Sequence, residues 1–185
     1  MLGYEDEVWW SRLAQPSPHT WAPEGEPLHL EQQHAERGES DSKALACYGL
    51  LRADTGGMLL RFVEERPLSN VTTQFLAWCA QKLEAEGKRV LVLVWDNAAW
   101  HVSREVRTWI KAHNRAVKEA GRGVRILVCR LPTKSPWLNP IEPKWVHGKK
   151  QVLEPSRKLT ATELKRRICG YYACDLLDPI AKQVA

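Results

Sequence analysis

What this 185-residue sequence lacks narrows the field first. Its five cysteines (Cys47, Cys79, Cys129, Cys169 and Cys174) form no CxxC pair and are odd in number. That pattern argues against a zinc site or a disulfide framework and for reduced, mostly buried thiols. No apolar run approaches the roughly 20 residues that span a bilayer, and no charged n-region leads into an apolar h-region. A cytoplasmic protein is therefore expected, with no membrane partner. Internal repeats and low-complexity tracts are absent, and His19, His29 and His34 lack ligand spacing, so they read as solvated histidines. Apolar residues at 44% and charged residues at 26% are those of an ordinary globular protein. The length suffices for one domain with a substantial core.

Acids are scarce in the second half. Residues 104–170 hold seventeen Lys/Arg against five Asp/Glu, whereas residues 1–44 hold three against nine. A basic half of that size suggests a polyanion partner, nucleic acid foremost, although a solvated lysine-rich surface gives the same count.

Leu2, Tyr4, Val8 and Trp9 suggest a short first strand that holds three consecutive acids, Glu5, Asp6 and Glu7. Acids are poor strand formers and need a reason to be there. Residues 11–43, with Pro16, Pro18, Pro23 and Pro27, read as a long polar loop with a turn of strand near 20–22. Ala44–Leu51 and Met58–Glu64 flank Asp54-Thr55-Gly56-Gly57 as a β-hairpin. Ser69 or Asn70 is expected to cap a helix carrying Val71, Phe75, Trp78 and Cys79 and ending at Gly87.

Val90–Val94 then runs unalternated into Trp95, Asp96 and Asn97, as a central strand buried on both faces would. A carboxylate at the end of such a strand is costly unless a metal or substrate pairs with it. Capping of the next helix is the other reading of Asp96. That helix, residues 103–120, sets Val106, Trp109, Ile110, His113 and Val117 opposite a basic face and stops at Gly121 and Gly123. Val124–Leu131 suggests another buried strand, a lysine-bearing helix follows up to Pro155, and residues 160–177 form a last helix with Thr160 and Glu163 in capping-box spacing. The order implies an α/β fold whose mixed sheet joins an antiparallel hairpin to parallel strands.

In SPWLNPIEPKW, residues 135–145, Asn139, Pro140 and Glu142 fit N-cap, N1 and N3 of a helix, so Glu142 has a local use. It also has a distant one. Asp6, Asp96 and Glu142 can converge on one edge of the sheet, where three carboxylates repel one another unless cations neutralise them. Mg²⁺ favours such oxygen-rich sites.

These segments resemble the catalytic core of mariner-type DDE transposases, in the bacterial insertion-sequence branch. YEDE at 4–7 is similar to the first acidic motif, DNAAWH at 96–101 to the second, and SPWLNPIEPKW to the third, the most specific. TWAPEGEP at 20–27 resembles a turn that follows the first strand in that family. The resemblance implies a ribonuclease-H-like fold, a mixed central sheet flanked by helices, over one DDE catalytic domain at residues 1–185. It implies a metal-dependent endonuclease that cleaves DNA strands at transposon ends and transfers them to target DNA. Asp6, Asp96 and Glu142 carry over as catalytic residues and as ligands of two Mg²⁺ or Mn²⁺ ions, and Asn97, His101 and Asn139 as their supports. Lys134, Lys149 and Lys150 are DNA-binding candidates by charge and position.

Two departures shape the expectations. Asp6 stands so near the start that the family's N-terminal helix-turn-helix region is expected to be missing and the first strand clipped to a few residues. Forty-five residues separate Asp96 from Glu142, more than in animal members. The expected partners are double-stranded DNA, a second copy of the chain and a separately encoded helix-turn-helix subunit, in a bacterial, nucleoid-associated setting. The alternative is an inactive remnant that only binds DNA or assembles.

Overall fold

The computed structural model describes residues 1–14, 24–26, 38–64, 66–154 and 156–181. The strand turn expected at 20–22, the histidines at 19, 29 and 34, most of the TWAPEGEP segment and Pro155 lie outside them.

Five strands form one sheet in the order β3-β2-β1-β4-β5. Strand β1 (Leu2–Ser11) occupies the centre. It runs antiparallel to β2 (Ala44–Arg52) from Gly3–Arg52 to Ser11–Ala44, and parallel to β4 (Val90–Trp95) over Leu2–Val92 to Tyr4–Val94. The first strand is thus ten residues long, not clipped. Pairing along its whole length with β2 outweighs the poor strand propensity of its three acids. β3 (Met58–Val63) closes the expected hairpin, whose turn uses Gly56 at φ 70°. β5 (Arg125–Arg130) pairs parallel with β4.

Helices α1 (Ser69–Ala85) and α2 (Arg104–Ala120) cover one face over a core containing Tyr48, Phe75, Leu91, Leu93 and Trp95. Helices α3 (Glu142–Val152) and α4 (Ala161–Tyr172) cover the other, around Trp10, Phe62, Trp145 and Ile168. Alternation along β1 sends Tyr4, Val8 and Trp10 to the second core and leaves the odd-numbered positions facing the first. The chain end straps the β3 edge, with Ile180 bridged to Val63 and its N–H donated to Phe62 O.

Several local expectations need correction. Leu68, not Ser69 or Asn70, is the N-cap of α1, and no side chain caps it. β4 is buried on one face and half-buried on the other, because α3 lies over β1 and β2 and does not extend across β4. β5 is a sheet edge on which only Ile126 is buried, so its apolar run is exposed. α4 stops at Tyr172, where Ala173 turns left-handed at φ 51°, five residues before the expected end. Ser103 and Thr160 do cap α2 and α4, accepting from Val106 N and Glu163 N. The cysteines are all free, and Cys47, Cys79 and Cys169 are buried. Among the described residues no helix is long and apolar enough to cross a membrane.

Candidate active site

The parallel ladder between β1 and β4 has a fixed offset, Leu2 beside Val92 and Tyr4 beside Val94. Carried two residues further, the same offset sets Asp6 level with Asp96, the first residue beyond β4. Across the other edge of β1, Asp6 pairs with Gly49. That glycine has a physical reason. A Cβ there would fall 2.4 Å from Cη2 of Trp145, so its absence lets the indole lie against the sheet. Trp145 is buried, meets Trp10 edge-to-face at 6.1 Å, and donates Nε1–H to Asp6 Oδ2 at 3.0 Å. Glu142 stands three residues earlier on α3, on the same side of the helix. Central strand, strand end and helix start thus deliver the three acids to one place.

The electrostatics bear this out. Burial, then the neighbouring Glu142 and Glu7 carboxylates, push Asp6 up to about 7. Burial and the Asp96 charge raise Glu142, with Lys149 pulling the other way. Asp96 is held low instead, first by a hydrogen bond from His101 Nδ1 at 2.8 Å and also by the Ala98 N–H at 2.8 Å. No Lys or Arg among the described residues forms an ion pair with any of the three acids. Among the described residues their mutual repulsion is offset only in part, by His101 against Asp96 and by Lys149 acting on Glu142 from a distance.

His101 forms the link to a second acidic layer. Its ring stacks on Trp95 at 4.4 Å, and its Nε2 lies 3.0 Å from Glu7 Oε1, which also accepts from Trp100 Nε1 at 2.6 Å. Burial alone would lower His101, but Glu5, then the bonds to Asp96 and Glu7, outweigh it and raise the ring to about 11. The imidazolium thus donates to two carboxylates. Glu5, fully buried, is pushed well up by desolvation, with the His101 charge pulling the other way. His101 Nε2 is 3.2 Å from its Oε2, near but not aligned for a hydrogen bond, so both Glu5 oxygens lack a partner. Strand alternation splits the acidic triplet: Glu5 and Glu7 face His101 while Asp6 faces α3.

The other expected residues fall into two groups. Asn97 donates Nδ2 to Leu131 O at 2.7 Å and ties the strand end to the segment after β5. Asn139 does not cap α3: Ile141 is its N-cap residue. Buried at 2% exposure, Asn139 donates Nδ2 to Glu5 O at 2.9 Å, so the acidic strand claims the amide that a local cap would have used. Lys149 reaches Glu142 electrostatically, two turns along α3, whereas Lys150 is exposed and away from it. Lys134 lines an open cleft of about 320 Å³ together with Asp96, Asn97 and Ser135. Trp145 and Gly49 have no role in the sequence reading, and Glu5 and Glu7 figure there only as acids in a strand, not as partners of His101. An isolated glycine inside the apolar run ALACYGLLR was the one available signal for the close approach.

The donor set suits a hard divalent cation, since Asp6, Asp96 and Glu142 offer only oxygens and His101 has both ring nitrogens engaged by carboxylates. Among the described residues, ligand-type atoms of Glu5, Glu7 and His101 all lie within 4.8 Å of one another. That group is already neutralised by the imidazolium. Asp6 and Glu142 have no such ion-paired cation among the described residues, and divalent ions would offset their repulsion.

Residues 2–165 match the family described as DDE superfamily endonuclease. No curated protein matches the chain in sequence. Among solved structures, the Mos1 mariner paired-end complex with Mn superposes with a TM-score of 0.67 at 16% identity, over 94% of this chain and 48% of that one. The corresponding complex with Mg gives 0.67 at 18% identity, over 93% and 48%. The isolated catalytic domain of Mos1 mariner transposase gives 0.59 at 14% identity, over 94% and 70%. At these identities the likeness is one of fold, the ribonuclease-H-like α/β sheet. The chain spans about half the length of the Mos1 chains in the paired-end complexes, where it covers 48%.

Proposed function

This chain belongs to the DDE superfamily endonuclease family, and from that premise we propose that it is the catalytic domain of a transposase. Its substrate is double-stranded DNA, cut at transposon ends and joined to a target. The observation that carries this reading is the nearness of Asp6, Asp96 and Glu142, from three elements, with no Lys or Arg among the described residues ion-paired to any of them. The similar Mos1 paired-end complexes, one with the left transposon end and others with Mn or Mg, support the same reading.

We assign Asp6, Asp96 and Glu142 as the catalytic carboxylates and as ligands of two Mg²⁺ or Mn²⁺ ions. Bound there, such ions lower the pKa of water and offset charge on the leaving oxygen. The rest is supplied by the protein. Trp145 holds Asp6 by its N–H, and His101 fixes the rotamer of Asp96. Asn139 anchors the segment before α3 to β1, and Asn97 anchors the end of β4. Lys134, Lys149 and Lys150 supply positive charge for the DNA backbone. In the first step a water oxygen bonds to phosphorus and the 3′ oxygen leaves as a hydroxyl. That hydroxyl then attacks a target phosphodiester, expelling a second 3′ oxygen.

The inactive-remnant reading loses its motive, because the acid-bearing strand runs its full ten residues at the sheet centre. Residues 1–185 are assigned to one catalytic unit, and end recognition to a helix-turn-helix module distinct from the elements described. A second copy of the chain is the expected partner at paired ends, in the nucleoid of a bacterial cytoplasm. The test is nicking of supercoiled plasmid in Mg²⁺ or Mn²⁺ against EDTA, for the wild type and Asp96→Ala. Cleavage that is metal-dependent and lost in the variant supports the function; equal cleavage by both proteins removes it.

A further inference from the structure

Eight of the nine tryptophans lie in described residues, and six of those engage another aromatic ring. Trp137 does not, and at 73% exposure it is the most exposed of the large hydrophobic side chains among the described residues. Its position is held by rigid surroundings. Residues 136–138 form one 3-10 turn, with Leu138 N donating to Ser135 O and Asn139 N to Pro136 O. Below it, Asn139 is clamped to Glu5 O and Ile141 is fully buried. Just before it, Lys134 sits at φ 58°, a left-handed conformation that a non-glycine residue keeps only where its surroundings impose it. Pro136, which precedes Trp137, lines the cleft that also holds Asp96 and Lys134.

An exposed indole on a preset turn, one residue beyond the Pro136 that lines the cleft with Asp96 and Lys134, fits a flat aromatic partner attached to an anion. We infer that Trp137 is a base-stacking platform, taking one unpaired nucleobase of the DNA next to the phosphate held in the cleft. The inference rests on the DNA-cleaving reading above and adds to it a subsite and a substrate feature, a locally opened duplex. Stacking of a base on an aromatic side chain is sequence-tolerant, because every base has a π-face. Lys134 complements it by meeting the adjoining phosphate.

The test is binding of the full chain, in Ca²⁺, to two 30-base-pair DNA duplexes of one sequence. One is fully paired; the other carries a central two-nucleotide mismatch with 2-aminopurine in it. The wild type is expected to bind the mismatched duplex about 10-fold more tightly and to quench the 2-aminopurine, from the stacking energies typical of such contacts. Trp137→Ala is expected to lose that preference and the quenching while binding the paired duplex as before, and Trp137→Phe to retain most of both. Because the side chain is exposed, the variants fold as the wild type does. A wild type that binds paired DNA with no preference, or a Trp137→Ala protein that keeps it, overturns the stacking subsite and leaves the nuclease reading standing. A wild type that binds neither duplex overturns the DNA reading, and the subsite with it.

Discussion

Replacing Asp6 by Asn should stabilise the metal-free protein while abolishing cleavage. Asp6 is raised from 3.8 to about 7 by burial and by the facing Glu142 and Glu7 carboxylates. A carboxyl whose folded pKa is raised favours the folded state below its unfolded value, and that contribution is lost as pH rises from about 4 through about 7. About 3 pH units at about 1.36 kcal/mol each set an upper bound of about 4 kcal/mol for the penalty above pH 7. Relaxation and water on the cleft side reduce the realised gain to roughly 1–3 kcal/mol. Asn removes the charge and keeps an oxygen for the Trp145 N–H. The assay is urea unfolding in EDTA at pH 8 and pH 5, with a melting shift of roughly 2–4 °C per kcal/mol for a chain of this size. The gain should fall by more than half at pH 5. Mg²⁺ should stabilise the wild type by mass action, about 2.7 kcal/mol at 100 times Kd, and the variant far less. An Asp6→Asn protein no more stable than the wild type at pH 8, or equally stabilised at both pH values, refutes the reasoning.

Gly49→Ala drives a Cβ to 2.4 Å from the Trp145 ring, so a cost of about 1–3 kcal/mol in urea unfolding is expected, with a larger loss of nicking as Asp6 loses its N–H donor. Arg12 is 1% exposed and donates to Ser42 O, Leu159 O, Asp41 O and Glu39, so Arg12→Ala strands buried acceptors and should cost about 3–5 kcal/mol by denaturant titration. Lys134→Ala should weaken binding to any DNA duplex and flatten the plot of log affinity against log salt by about 0.9, measured by fluorescence anisotropy.

The residues by themselves determined the α/β layout and pointed to three acids as candidates. Period-two and period-3.6 apolar patterns, the hairpin turn and the Gly and Ser/Thr helix ends are local signals, set by backbone sterics and helix caps that need no distant contact. Asp6, Asp96 and Glu142 stand out as candidates because each lies in a short motif of its own. The packing was not. Val124–Leu131 looks like a core strand, and only the sheet order makes it an edge with Leu127 45% exposed. Asn139 has the spacing of a helix cap, yet it bonds Glu5 O, 134 residues away in sequence, because a helix cap is weak against a buried strand carbonyl left unpaired. Nothing near Gly49 in the chain announces Trp145, and nothing near Glu7 announces His101. Those pairs exist because strand alternation divides consecutive acids between two faces, and each face then meets whatever helix or strand end the tertiary fold lays against it.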